Sequence, residues 1–193
     1  MFDTLFLVSS ADPNTGLSVA ELQTLDYLGC LMSVYDGEDA SAWEFGFSVT
    51  DLGAPFSTTL NEAAQQCQRV GWIVRSEKIF QASAAGREEV AFQSRLAPNM
   101  RRVRYLSASI AASMSMTLPS ISDALNREPG LRRAIAFMRR KRLLDDTSLG
   151  LVIEQFDGLR EAVGDGSSRS NLMVPTVVWL SYLAADPDRQ VGG

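Results

Sequence analysis

The 193-residue chain contains no histidine. That absence removes the side chain that ordinarily titrates near neutrality, the commonest zinc ligand, and every Ser-His-Asp or Cys-His relay. Cysteine is nearly absent as well. Cys30 and Cys67 each sit alone in an apolar stretch, too few for a disulfide framework and not clustered as metal ligands are. Both are expected to be buried thiols acting as small hydrophobes. Neither G-x-x-x-x-G-K-[ST] nor G-x-G-x-x-G occurs, which leaves no phosphate-cradling loop of either kind. No apolar run approaches the ~18 residues of a membrane span. The opening Met1-Phe2-Asp3-Thr4-Leu5-Phe6-Leu7-Val8 is short and carries Asp3 where a signal peptide carries a cation. The expectation is a cytoplasmic protein with no catalytic residue, no cofactor and no metal.

Hydrophobic residues make up 46% of the chain and charged residues 21%, the balance of a globular protein. A net charge of -5 excludes a uniformly basic nucleic-acid binder. The charge is unevenly placed. Residues 1–97 hold 5 basic and 13 acidic side chains, a net of -8, whereas residues 98–193 hold 13 basic and 10 acidic, a net of +3. Within 98–142 there are 10 basic residues against Asp123 and Glu128. Two surfaces of opposite sign are implied, on an N-terminal domain over 1–97 and a helical domain over 98–193.

In the first half, Ser18 with Glu21 at its third position forms a capping box opening a helix over 19–34. Leu22, Leu25, Leu28, Leu31 and Met32 recur at three- and four-residue spacing, which predicts one apolar face. Asp36-Gly37-Glu38-Asp39 breaks that helix. It lacks the ligand alternation of a calcium loop and reads as a solvated turn. Trp43, Phe45, Phe47 and Val49 alternate with other residues, as a short strand or an aromatic start to a helix would. Thr59 and Glu62 suggest a second capping box, for a helix to about Val70 that stops at Gly71. Trp72-Ile73-Val74 and Ile79-Phe80-Gln81 flank a polar turn and predict a β-hairpin, followed by a helix over 84–96.

Helix, tight turn, helix, two-stranded wing and trailing helix is the order of a winged helix-turn-helix. The stretch Gly53-Ala54-Pro55-Phe56-Ser57 … Leu60 … Gly71-Trp72-Ile73 … Phe80-Gln81-Ala82 … Gly86-Arg87 resembles the "GPFS … L … GLI … LT-x-x-G-r" run of prokaryotic winged-helix proteins of the YwgA-like and Panacea-antitoxin type. Leu22-Gln23-Thr24-Leu25-Asp26-Tyr27-Leu28 is similar to the "LQKLLYL" helix preceding that run. Ala82-Ser83 stands where the group has "LT". The resemblance covers about half the chain and implies the fold of that half.

Pro98-Asn99 reads as a linker. Beyond it the pattern is helical, over 102–116, 120–126, 130–144, 148–163 and 174–185, with a Gly-Ser loop over 164–168 and a tail over 186–193. The fold class expected is therefore mainly α, with a winged helix first and a helical domain after it. On a helix through 130–144, Arg132, Arg133, Arg139 and Arg140 share about a third of the circumference, opposite Leu131, Ala134, Ile135 and Met138. No acid within that helix pairs with them. Arg101, Arg102 and Arg104 extend the face if the two helices pack together. Such a face is solvated, neutralised by the protein's own acidic half, or covered by an acidic partner or phosphates.

The helix expected to read DNA argues against that role, since from Ser57 to Val70 its only cation is Arg69. For an enzyme the sequence offers no carboxylate pair better than Asp145-Asp146 or Asp36/Asp39, and Ser107 to Ser115 reads as a small-residue packing face. Residues 174–180, apolar almost all round, require cover from this chain or a partner. The function expected is a non-catalytic adaptor subunit of a multi-protein complex, the alternative a DNA-binding regulator or antitoxin. In size and layout the chain resembles small winged-helix accessory subunits that accompany SMC-like ABC ATPases, including the middle subunits of three-component anti-phage systems such as Lamassu. That resemblance implies a larger ATPase as partner.

Overall fold

The computed structural model describes residues 1–136, 142–164 and 171–185. The protein is mainly helical, with nine α-helices among the described residues and a small antiparallel sheet. Helix α1 (Phe2–Ser10) leads to β1 (Leu17–Ser18) and then to α2 (Val19–Tyr35). A segment over 36–57 follows, holding a 3-10 turn (Ala40–Trp43) and a hairpin of β2 (Ser48–Val49) and β3 (Pro55–Phe56). Helix α3 (Thr58–Arg69), strands β4 (Ile73–Ser76) and β5 (Ile79–Ala82), and α4 (Ala84–Gln93) complete the first half. The second half contains α5 (Ala97–Ser115), α6 (Leu118–Leu125), α7 (Pro129–Ala136), α8 (Asp146–Val163) and α9 (Met173–Ala185).

Helix α2 begins as its sequence predicts. Ser18 accepts from the Glu21 amide while the Glu21 carboxylate accepts from the Ser18 amide at 2.7 Å. The single apolar face predicted for it is a correction. Every residue from Leu22 to Tyr35 is buried, because α1, α5, α8, the 3-10 turn and β3 enclose the helix from all sides. Burying Leu22, Leu25, Leu28, Leu31 and Met32 completely contributes roughly 1.5–3 kcal/mol for each side chain. The polar side chains of α2 then require partners of their own. Gln23 exchanges two hydrogen bonds with the Ser57 backbone, Asp26 accepts from the Trp43 indole, and the Tyr27 hydroxyl donates to Glu128.

Several other expectations shift. The tight turn between the first two long helices is instead the whole 36–57 segment. The cap of α3 is Ser57, whose hydroxyl accepts from the Leu60 amide, and not Thr59. Trp43 ends the 3-10 turn, while Val49 lies in a strand. Helix α4 stops at Gln93. Pro98 is no linker, because it occupies the first turn of α5, where its missing N–H costs nothing. Strand β1 pairs with β5 and β5 with β4, in the order β1-β5-β4, with Leu17 opposite Phe80 and Ile73 opposite Ala82. Gly86 lets α4 lie on this sheet, since a Cβ there would sit 2.0 Å from the Trp72 carbonyl oxygen.

Helix α5, which begins at the 97/98 boundary, packs along α2 and α9 through its small residues, with Ala108, Ser109 and Ala112 buried. The buried apolar side chains of both halves form one continuous cluster. The helix expected over 130–144 does not reach Leu144. Arg142 bridges to Ser48, the Leu143 amide donates to the Phe47 carbonyl, and Leu144 has a φ of 60° just ahead of Asp145, the N-cap of α8. The Gly-Ser loop beyond Gly164 and the tail over 186–193 lie outside the described residues. Cys30 and Cys67 are free and buried, as expected.

Glu128 is completely buried at the head of α7. It accepts from the Gly130 amide at 2.7 Å, the Leu131 amide at 2.8 Å and the Tyr27 hydroxyl at 3.0 Å. Replacing it by Ala strands three donors away from water, so Glu128→Ala is expected to cost roughly 3 kcal/mol or more. Urea unfolding followed by far-UV circular dichroism measures this, and an unchanged midpoint contradicts the role given to Glu128.

Candidate functional site

The basic face predicted from the sequence separates into parts with different fates. Helix α7 turns Leu131 and Ala134 into the core, which leaves Arg132 and Arg133 exposed on the other side. Neither makes an ion pair among the described residues, and the carboxylate of Glu128 about one turn away is committed to the helix head and to Tyr27. Arg139 and Arg140 lie outside the described residues.

Arg101, Arg102 and Arg104 do not join that face. Helix α5 turns them toward α1 and the 36–43 segment, where acids meet each of them. Arg101 pairs with Glu38 at 2.8 Å and Arg104 with Asp36. The Tyr105 hydroxyl also donates to Asp36 at 3.0 Å, and burial together with this bond holds its phenol in the protonated form. The loop read as a solvated turn is therefore an acidic clasp on α5, with Asp39 capping the 3-10 turn through the Ser41 amide.

Arg102 is the most deeply placed of the three. Its Nε lies 3.0 Å from Asp3 Oδ2, its Nη2 donates to the Trp43 carbonyl, and its guanidinium carbon sits 3.7 Å from the centre of the Trp43 ring. The Asp3 and Arg102 side chains are 5% and 17% exposed, so solvent screens this pair little. Stacking a desolvated guanidinium on indole is worth about 2 kcal/mol. Beside the cluster opens a cleft of about 380 Å³ whose walls include Asp3, Trp43, Phe45, Arg101, Arg102 and Tyr105.

Beneath Trp43 lies a group that sequence reasoning missed. Asp26, fully buried on α2, accepts from the Trp43 indole N–H at 3.2 Å and stands within hydrogen-bonding reach of Asp3. Burial first, and then the negative charge of Asp3, pushes Asp26 well above the usual carboxylate range. Asp3 is also raised by burial, but Arg102 pulls it back. Asp26 Oδ1 has no hydrogen-bond partner within the fold, while Asp3 is held against Arg102. The signal was an acid inside the apolar run Leu25-Asp26-Tyr27-Leu28. For Glu128 it was the succession Glu128-Pro129-Gly130, a helix head.

This arrangement ties α1, α2, α5 and the 3-10 turn together. Asp26 is sealed behind Trp43, Asp3 is engaged by Arg102, and the Cys30 thiol nearby is pushed up by burial. Among the described residues no three His, Cys, Asp or Glu side chains cluster as metal ligands would, and no helix is long and apolar enough to cross a membrane. Exposed side chains among the described residues include Arg132 and Arg133 on α7 and the outer stripe of α9. Val174, Val178 and Tyr182 are exposed there, while Thr176, Trp179, Leu180 and Leu183 face inward. In comparison with known proteins, no family model, no curated protein and no solved structure matches the chain.

Because the folded pKa of Asp26 is raised, its contribution to stability is greatest below pH ~4 and is lost as pH rises through that folded value. Asp26→Asn keeps the acceptor for Trp43 and a donor for Asp3 but cannot ionise. The variant should therefore gain on the wild type as pH rises above ~4. Asp3→Ala, which strands Arg102, is expected to cost about 3 kcal/mol at pH 7. Thermal and urea unfolding across that pH range test both. A wild type and an Asp26→Asn variant with parallel pH profiles contradict the upward shift of Asp26.

Proposed function

We propose that this chain is a non-catalytic adaptor subunit of a cytoplasmic multi-protein complex. Its N-terminal half acts as a winged helix-turn-helix that contacts protein, and the arginine face of α7 meets an acidic partner. The winged-helix reading is supported by the sheet order β1-β5-β4, with α2 and α3 ahead of the β4–β5 hairpin and α4 after it. A role in reading DNA is not supported by α3, whose exposed residues Thr58, Thr59, Glu62, Gln65 and Gln68 carry no cation before Arg69.

One observation carries the reading. Arg101, Arg102 and Arg104 are neutralised by Glu38, Asp3 and Asp36, whereas Arg132 and Arg133 stand exposed on a helix whose head is locked by Glu128. Like charges kept on a rigid element without internal acids gain when a partner's carboxylates cover them. The resemblance to accessory subunits of SMC-like ATPases, including anti-phage systems, makes a larger ATPase the expected partner.

The test is affinity purification of the tagged chain from its native cells, with mass spectrometry of what accompanies it. A larger protein in near-stoichiometric amount, lost from the Arg132→Glu/Arg133→Glu variant, is the expected result. Duplex DNA binding by the purified chain, with a steep salt dependence abolished by the same reversal, makes it a DNA-binding regulator or antitoxin instead.

A further inference from the structure

We propose that residues 39–46 form a strap that Trp43 latches to the fold and that opens while the rest of the protein stays folded. This does not depend on the adaptor reading. Both ends of the strap are anchored. The Glu38 amide donates to the Ser33 carbonyl at 3.0 Å, and the Glu38 carboxylate pairs with Arg101. At the other end the Phe47 carbonyl accepts from the Leu143 amide at 2.8 Å, and the Phe47 ring meets Tyr27 edge-on. Between the anchors, the Ala42 amide donates to the Asp39 carbonyl and the Glu44 amide to the Ser41 carbonyl, both within the turn. Among the described residues no backbone-to-backbone hydrogen bond joins 39–46 to another element.

Trp43 is the one buried residue of the strap. Its indole donates to Asp26, its carbonyl accepts from Arg102, and its ring lies under that guanidinium. Around this attachment the packing is open on two sides. The cleft of about 380 Å³ runs along Ala42, Trp43 and Glu44, and a second cavity of about 300 Å³ runs along Ala40 and Ser41. Asp39 and Phe45 line both. Side chains beside a void lack contacts on that side, so the strap is held less firmly than the helices around it. Two further features favour opening. Glu44 has a φ of 66°, a left-handed conformation that a residue with a side chain disfavours, and lifting the strap releases it. Lifting Trp43 also admits water to Asp26 Oδ1, which has no hydrogen-bond partner within the fold. The open state joins the two cavities over α2 and uncovers the Asp26 carboxyl.

Hydrogen exchange of the full chain, followed by NMR, tests this. The probes are the Trp43 indole N–H, the amides of Leu25, Leu28 and Leu31 on α2, and the indole N–H of Trp179. Trp179 is equally buried and bonded to Gln155, which makes it the like-for-like control. Each rate is divided by that of the same group in an unfolded peptide, giving the population of its open state. The open state at Trp43 is expected to be about tenfold or more populated than at the other probes and insensitive to low urea. Arg102→Lys keeps a cation beside Asp3 but loses the planar stack on the indole. It should raise the open population at Trp43 about tenfold and move the other probes by about twofold or less. A wild-type Trp43 indole that matches the α2 amides in open population and urea dependence overturns the strap. An Arg102→Lys variant that leaves Trp43 unchanged, or that moves every probe alike, overturns the latch.

Discussion

Burying a helix on every side removes its polar side chains from water, and that constraint organises this protein. Helix α2 lies at the centre of the fold, and each polar group on it has to find a partner or forfeit about 1–3 kcal/mol. Gln23 finds the backbone at the start of α3, Asp26 finds the Trp43 turn, and Tyr27 finds the head of α7. Three separate elements of the surrounding shell are therefore registered on one rod by three directional contacts. The leucines of α2 supply the larger free energy, but dispersion and apolar burial have no direction. The hydrogen bonds decide which element goes where.

The same logic explains the placement of charge. A net of -8 over 1–97 beside a strongly basic 98–142 would be costly if the two regions pointed into separate solvent, and part of that charge is spent inside the molecule. Arg101, Arg102 and Arg104 lie along the first turns of α5 and meet Glu38, Asp3 and Asp36 at graded depth, from the exposed Arg101 to the buried Arg102. Exposed members of such a series add little stability. The deeper one is different, because burial raises Asp3 and Asp26 while Arg102, stacked on Trp43, pulls Asp3 back. Arg132 and Arg133 on α7 stay outside this internal pairing, and it is there that the functional proposal stands.

Much of the local structure was readable in advance because its causes are local. The Ser18–Glu21 box, the stop at Gly71, the β4–β5 hairpin around its polar turn and the burial of both thiols depend on residues within a few positions of one another. Errors arose where the cause lay far away in the chain. Thr59 and Ser57 are both competent caps, and Gln23, thirty-four residues distant, helps select Ser57 by holding its backbone. Pro98 reads as a break until α2 offers a surface on which a helix starting at Ala97 can lie. The arginines at 101, 102 and 104 matched those of α7 in type and spacing, and nothing local distinguishes a cation facing solvent from one facing Asp3, ninety-nine residues away.

By itself the sequence determined what kinds of chemistry are within reach. A chain without imidazole, with two isolated thiols and without a glycine-rich phosphate loop lacks histidine relays, a disulfide framework and both phosphate-loop motifs, and periodicity and caps dictate helices at its ends and a small hairpin in the middle. Only the tertiary structure decided which cations meet acids within the fold, that α2 is enclosed and not amphipathic, and that Gly53 lies against Ile135 of α7. The physical reason is range. Helix caps and turns are closed by neighbours in the chain, whereas ion pairing and burial are settled by whichever groups the packed elements bring within a few ångströms.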